Sequence, residues 1–492
     1  VAQDPSTDSM THWRLDDEQA AVVAHRGGVL HVVGGPGTGK TSTAVGVVVD
    51  RVGRGEVVAE QSLLVAPTRV AAGRLRAEVS RRLGGTTTEP LARTASALAF
   101  ALLRHAAVAG AGPPRLLSGS EQDLVLADLL VGHSSAGSQG PAWPESVRGA
   151  LGTRGFRGQL RDLLMRAVEH GLEPSDLASL GRRHERAEWV AAAAVLQEYD
   201  QVTALRSPGA FDPAWICTAA ADLLEDDDTA RHRGQDRVRL IVIDDAHELT
   251  ASAARLIRAL RGPSTDVVLL GDGDLTVQGF RGADPARFDR LAQSLAGADA
   301  VHRIVLRTGH RLPAVLTSMA TRVAERIGVT SGVRHRAPDP VHPGGTVEVL
   351  TLRSPAQEAA YVADRFRRAH LIDGVPWSQM AIVARARGRH EALRRALAAV
   401  GIPVVVPGSG VPLVQEAAVR TLLLAFAVVL RQAQRDALLC SGSEAGDLLT
   451  SALGGADPVT MMRLRRSVRL AERASGGDRT ADDVLAALLT DA

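Results

Sequence analysis

The chain has 492 residues, 45% of them hydrophobic, with 57 Lys and Arg against 55 Asp and Glu and a formal net charge of +2. That length suits about three or four domains of roughly 100–200 residues. It excludes a small stapled module, and Cys217 and Cys440 supply neither a disulfide framework nor a metal spacing. The balanced charge excludes a uniformly basic nucleic-acid coat but leaves room for local arginine patches. The longest apolar run, Thr421 to Leu430, is too short to span a bilayer, and Val1 to Trp13 lacks the apolar core of a signal peptide, so a reducing cytoplasm is expected.

In chain order, Leu15 to Val23 reads as a short capped helix. It carries Gln19, whose amide could read an adenine edge or simply face solvent. Val29-Leu30-His31-Val32-Val33 reads as a buried strand feeding Gly34-Gly35-Pro36-Gly37-Thr38-Gly39-Lys40-Thr41, which fits the phosphate-loop spacing. Ser42 to Val52 follows without proline and is predicted helical. In such a loop backbone N–H groups surround phosphates, Lys40 adds a point charge and Thr41 offers a hydroxyl to Mg²⁺. Lys40 is also the only lysine in a chain that otherwise uses arginine. A compact, flexible ammonium suits a nucleotide phosphate.

Ser62 to Val65 reads as a second strand, running into Thr68 and Arg69 and then a helix from Val70 to Leu83. Leu116 to about Asp200 is helical in pattern, broken from Ser134 to Pro144, and reads as an insertion. Val238 to Ile243 is the strongest strand and ends in Asp244-Asp245. Beside a phosphate loop, such paired acids suit a metal ligand and a water-orienting base. Asp266 to Asp274 repeats the design and leads to Phe280-Arg281, where the aromatic suits either base stacking or a core position. A second α/β portion is predicted from strands at Thr346 to Leu352, Met380 to Ala384 and Ile402 to Val406, with helices from Ala356 to Ala369 and Glu391 to Val400. A helical tail, Glu416 to Ala492, follows.

These pieces, in this order, resemble the UvrD/Rep family of superfamily 1 DNA helicases. The matching motifs are Gln19, Gly34 to Thr41, Ala66 to Ala72, Ile243 to Glu248, Gly271 to Ala283 and Arg307 to Arg311. The resemblance implies an α/β P-loop NTPase with RecA-like parallel sheets and helical insertions. The expected organisation is a first RecA-like half at 1–115 and 206–305, its insertion at 116–205, an incomplete second half at 306–432 and the start of a second insertion at 433–492. It further implies a 3′-to-5′ single-stranded DNA translocase using ATP and Mg²⁺. Gln19 and Gly34 to Thr41 would bind ATP, and Thr41 and Asp244 the metal. Lys40, Asp245, Arg281 and Arg311 would be catalytic, and Thr68, Arg69 and Phe280 would contact DNA.

The opening Gly-Gly-Pro-Gly-Thr-Gly-Lys-Thr, the arginine-rich style and the stretch from Leu449 to Arg466 are also similar to AdnA-type subunits of actinobacterial helicase–nucleases. That narrower likeness implies a role in double-strand break repair, action on duplex ends, and a second helicase–nuclease subunit as partner. Asp245 replaces the family's glutamate, His247 its glutamine, and Leu275 a glutamine of the third motif, so a slow ATPase is expected. Motifs V and VI and a nuclease motif are absent from this stretch, and the chain is expected to stop inside the second insertion.

Overall fold

A computed structural model of the chain describes residues 14–84, 91–106, 114–134, 140–207, 209–297, 300–328, 332–405, 417–434, 439–451 and 453–490. The chain divides into two compact units, Val1–Glu348 and Val349–Ala492.

The first unit is built on a six-stranded, wholly parallel sheet. Its strands are β1 (Val29–Gly34), β2 (Ser62–Val65), β3 (Ala92–Arg93), β4 (Leu240–Ile243), β5 (Asp266–Gly271) and β6 (His302–Leu306), in the spatial order β3-β2-β4-β5-β1-β6. The continuous apolar runs follow from helices covering both faces. Val29, Val33, Ile241, Ile243, Val267 and Leu269 pack on one side with the helices Ile216–Asp226, Ala251–Leu260 and Pro285–Ala296. Leu30, Val32, Leu240, Val242, Val268 and Leu270 pack on the other with Lys40–Gly53 and Arg69–Leu83. His31 lies in the first layer, buried, with its ring 4.3 Å from that of Phe288.

Parallel pairing puts all six carboxyl ends at one edge, where α/β sheets place ligands. Val33 pairs with Gly271 and Val305, Ile243 with Leu269, and Val65 with Ile243. Contrary to the simplest reading of the sequence, the strand ending in Asp244 is not the neighbour of β1, because β5 lies between them.

The segment read from the sequence as an insertion forms helices Gly119–Ser134, Glu145–Arg148, Arg154–Glu169, Pro174–Arg183 and Ala187–Arg206 around a core that includes Leu126, Leu164, Ala192 and Leu196. A buried Asp212 at its base accepts hydrogen bonds from Gln122 Nε2 (2.6 Å) and Tyr199 Oη (3.0 Å).

Residues 306–348, read from the sequence as the opening of the second half, belong to the first unit. Arg307 donates to Glu18, His310 pairs with Asp16, and Arg336 grips Asp274.

The second unit corrects the expectation of a second sheet. Helices form at Pro355–Leu371 and His390–Ala399, close to prediction, but the segments predicted as strands form none among the described residues. Val406 lies outside those residues. A parallel strand is stable only within a sheet of several. Here Val349, Val383 and Val405 face solvent at 88%, 95% and 88% exposure. The unit is held by small clusters, Ala363, Leu397 and Ile402 in one and Val428, Cys440, Ala445 and Ala486 in another. No helix among the described residues is long and apolar enough to cross a membrane.

Candidate functional site

Strand β1 ends in Gly34 and the helix Lys40–Gly53 begins at Lys40, so Gly35 to Gly39 form the turn between them. Gly39, at φ +81°, is the helix N-cap and supplies no capping side chain. The first amides of that helix therefore lack a side-chain acceptor, which makes an anion site. A Cβ on Gly39 would also collide with Gln19 Nε2 at 2.5 Å.

Lys40 is buried. Its Nζ donates to the carbonyls of Gly34 (2.7 Å) and Gly35 (3.0 Å), folding the ammonium onto its own loop. Burial lowers its pKa, against the charges of Asp272, Asp245 and Asp244, which raise it. An arriving phosphate offers the ammonium a charged acceptor in place of two carbonyls, and such bonds are about twice as strong.

Gln19 is buried rather than exposed. Its Nε2 donates to the Thr38 carbonyl (3.1 Å) while its Oε1 accepts from the Asp16 backbone (3.3 Å). Asp16 in turn accepts from Gln19 N (2.7 Å) and pairs with His310 Nε2 (2.7 Å). The amide thus braces the phosphate loop and keeps one N–H and one lone pair for a ligand. His310 N also donates to the Gly37 carbonyl at 3.0 Å, which brings the next residue, Arg311, close enough for its charge to act on Lys40.

Across the sheet edge, Thr41 Oγ1 donates to Asp244 Oδ1 at 3.2 Å, joining the two residues assigned from sequence to the metal. Burial, and then the like charge of Asp245, push the Asp244 carboxyl up to about 6. A divalent cation reverses that penalty, and the hydroxyl–carboxylate pair fits one. Asp245 follows at φ +51°, in the left-handed region, at the head of the tight turn Ala246–Glu248. Asp tolerates this conformation better than most residues.

That turn does more than its sequence suggested. His247 is buried, and its Nδ1 accepts from the backbone N–H of Asp272 (3.1 Å), tying β4 to the end of β5. An accepting Nδ1 must be unprotonated, in keeping with the lowering of its pKa by burial. Glu248, with a side chain 5% exposed, accepts from Val277 N (2.8 Å) and Gln278 N (3.0 Å). Those amides open the turn Gly279–Arg281 that carries Phe280.

Phe280 is 65% exposed, so it is no core residue. The Arg166 guanidinium of the insertion lies 5.6 Å from its ring centroid. Arg281 is likewise exposed, and its charge acts on Glu169 of the insertion. The structure therefore gathers Lys40, Thr41, Asp244, Asp245 and Arg311, while Phe280 and Arg281 stand on a loop facing the helix Arg154–Glu169. Thr68 and Arg69 are exposed at the carboxyl end of β2, with the Thr68 hydroxyl capping the helix Arg69–Leu83 through Ala71 N (3.1 Å). Sequence reasoning missed Glu248, whose only signal was its place three residues after Asp245, and the Asp16–His310 pair, which had none.

The family model for the UvrD/REP helicase N-terminal domain matches residues 15–296, more than half of the chain. The chain belongs to the UvrD/Rep helicase family. Its similarity to the ATP-dependent DNA helicase UvrD2 of Mycobacterium tuberculosis (strain ATCC 25618 / H37Rv) is 29% identity over 407 residues, covering 80% of this chain and 55% of that protein. DNA helicase II of Escherichia coli (strain K12) is 23% identical over 402 residues, covering 80% and 51%. The ATP-dependent DNA helicase Rep of Salmonella typhimurium is 23% identical over 187 residues, covering 38% and 27%. The chain thus spans about half the length of the UvrD-type relatives that it matches along most of its own length. Within the UvrD/Rep family frame, the phosphate loop, the Thr41–Asp244 pair and the Phe280 loop occupy one sheet edge and its flank.

Proposed function

We propose that the chain is the ATP-binding part of a DNA helicase motor that hydrolyses ATP to move along single-stranded DNA in the 3′-to-5′ sense. The observation that carries this reading is the grip of Glu248 on Val277 N and Gln278 N. Through it, the turn that begins at the Asp244–Asp245 pair holds the loop bearing an exposed aromatic ring. A nucleotide enzyme acting on a small metabolite has no use for that connection. The relatives named as ATP-dependent DNA helicases support the same reading.

In this proposal Gln19 and residues Gly34 to Thr41 hold ATP, with Lys40 leaving the loop carbonyls for the phosphates. Mg²⁺, held by Thr41 and Asp244, would neutralise charge on the transferring phosphoryl group. Asp245 orients the attacking water, and Arg311 and Arg281 stabilise developing charge, Arg281 only after its loop moves inward. Phe280 stacks on a base while Thr68 and Arg69 contact the DNA backbone. The finer reading is a weaker motor of a heterodimeric, AdnA-type helicase–nuclease acting at double-strand breaks with a second subunit.

A second reading, a DNA-binding scaffold that binds ATP with little turnover, is favoured by Leu275, an apolar side chain 39% exposed in the turn Gly273–Leu275. Steady-state ATP hydrolysis with and without single-stranded DNA, for the chain and for Lys40→Ala, alone and with any co-purifying partner, separates the two. Stimulation by DNA that Lys40→Ala abolishes supports the motor. Nucleotide binding without turnover, partner included, refutes it and leaves the scaffold.

A further inference from the structure

Behind the phosphate loop is a cluster of side chains of metal-ligating type to which the nucleotide reading assigns no role. Asp272 and Asp274 leave the end of β5, and His335 arrives from the segment after the helix Ala314–Ala324. Asp272 and His335 are buried and Asp274 is partly buried, with side chains 2%, 3% and 8% exposed. One donor atom from each lies within 4.8 Å of the others. His335 Nε2 is 3.1 Å from Asp272 Oδ1 and 3.4 Å from Asp274 Oδ2.

Despite those distances, the N–H is aligned with neither carboxylate well enough for a good hydrogen bond, although the imidazole still helps, against burial, to hold the Asp272 carboxyl below its usual range. Donors that converge on a common ion, rather than on each other, have this relation. Ligands about 2.0–2.2 Å from one ion at tetrahedral to octahedral angles stand roughly 2.9–3.5 Å apart, the range in which both contacts fall. A buried ring nitrogen without a well-aligned partner is better satisfied by an ion that takes its lone pair.

The remaining bonds of the carboxylates leave room. Asp274 takes Arg336 on both oxygens, at 2.7 and 2.8 Å, and Asp272 Oδ1 accepts from Asp274 N at 3.0 Å. Each oxygen has a second lone pair. One imidazole with two carboxylates is a donor set for a borderline first-row ion rather than for Mg²⁺, which prefers oxygen and water.

We propose that Asp272, Asp274 and His335 bind a divalent transition-metal ion of the zinc class, distinct from the nucleotide's Mg²⁺. The ion staples the end of β5 to the segment 332–340. That segment is what the phosphate loop rests on, because a Cβ at Gly35 would meet the His335 carbonyl at 2.6 Å. Occupancy therefore stiffens the loop from behind without touching the nucleotide. Three protein donors leave at least one position for water.

The test uses the whole chain, stripped of metal by chelation and titrated with Co²⁺ under visible absorption and calorimetry. One equivalent should bind with d–d bands, compete with Zn²⁺, and weaken more than about 100-fold in His335→Ala, beyond the range for losing an outer-shell partner. The bands should persist in Asp244→Asn, which removes the carboxylate of the Thr41 pair. Absence of stoichiometric Co²⁺ binding, or bands unchanged in His335→Ala, overturns the proposal and leaves an ion-paired cluster. If His335→Ala fails to fold by circular dichroism, X-ray absorption of the Co²⁺-loaded wild-type chain decides. Scattering from one imidazole among oxygen ligands supports the site, and its absence overturns it.

Discussion

The carboxylate of Glu248 holds the amides of Val277 and Gln278 at 2.8 and 3.0 Å from a nearly buried position. Hydrogen bonds to a charged group are worth about 1.5–3 kcal/mol each. Glu248→Gln keeps one acceptor, turns an NH₂ toward the other amide and removes the charge. The closed loop should lose about 2–3 kcal/mol, so local opening becomes roughly 30- to 160-fold more frequent. Amide hydrogen exchange reads this directly. Val277 and Gln278 should exchange faster by that factor, while the amides of β4 and β5 keep their protection. Unchanged exchange at Gln278 would refute the argument that the carboxylate holds the loop. Uniform acceleration through β4 would mean that the substitution had merely loosened the sheet.

Burial lowers the His31 pKa to about 4 from an ordinary 6.5, so the unfolded state takes up its proton first. Stability is then full above about pH 6.5 and falls by up to about 3 kcal/mol as pH drops toward 4. Urea unfolding across that window should show a shallower pH dependence in His31→Leu, and an unchanged slope would sink the assignment. Because burial and the charge of Asp245 push the Asp244 carboxyl up to about 6, protons would compete with a metal held there below that pH. Mg²⁺-dependent binding of a fluorescent ATP analogue should weaken about tenfold per unit below about pH 6, and Asp244→Asn should lose that dependence. Gln19→Ala strands the Thr38 carbonyl and the Asp16 amide, and should cost about 2 kcal/mol in thermal unfolding. Asp245→Glu lengthens the carboxylate by one methylene at a φ of +51°. It should raise ATP turnover, by as much as ~10²-fold if a misplaced water is the limit, and lower turnover in a folded variant contradicts that reason.

What the sequence made legible is what local chemistry determines. The runs Val29 to Val33 and Leu240 to Ile243 read as strands because helices cover both faces, and Gly34 to Thr41 carried its meaning in its spacing. The sheet order was not legible. That β5 separates β1 from β4 depends on pairing between segments more than 200 residues apart, such as Val33 with Gly271. Phe280 had two readings until its ring proved 65% exposed. Glu248 had only its position after Asp245 as a signal and His335 had none, for the same reason as the sheet order, since the partners of Glu248 lie 29 and 30 residues away and those of the neighbouring Arg336–Asp274 pair 62 residues apart. The apolar segments around Val349 and Val383 carry the local composition of strands, but a ladder needs partner strands, which composition cannot supply.

The turn from Asp244 to Glu248 is where these threads meet. Thr41 reaches Asp244 from the phosphate loop, His247 takes the Asp272 amide, and Glu248 takes two amides of the loop that carries Phe280. Three of its five residues thus bind three different segments, and the turn is tight, with Asp245 held at positive φ. A close-packed turn of this kind shifts as a unit rather than bending piecemeal. A metal ion held by Thr41 and Asp244 would replace their hydrogen bond, and the bonds to His247 and Glu248 link that end of the turn to the end of β5 and to the loop of Phe280. Beyond Phe280 the path continues to Arg166, whose guanidinium lies 5.6 Å from the ring centroid. In the proposed motor, nucleotide and DNA would act on opposite ends of one hydrogen-bonded segment, and by linkage whatever one ligand did to the other's affinity would be returned in equal measure.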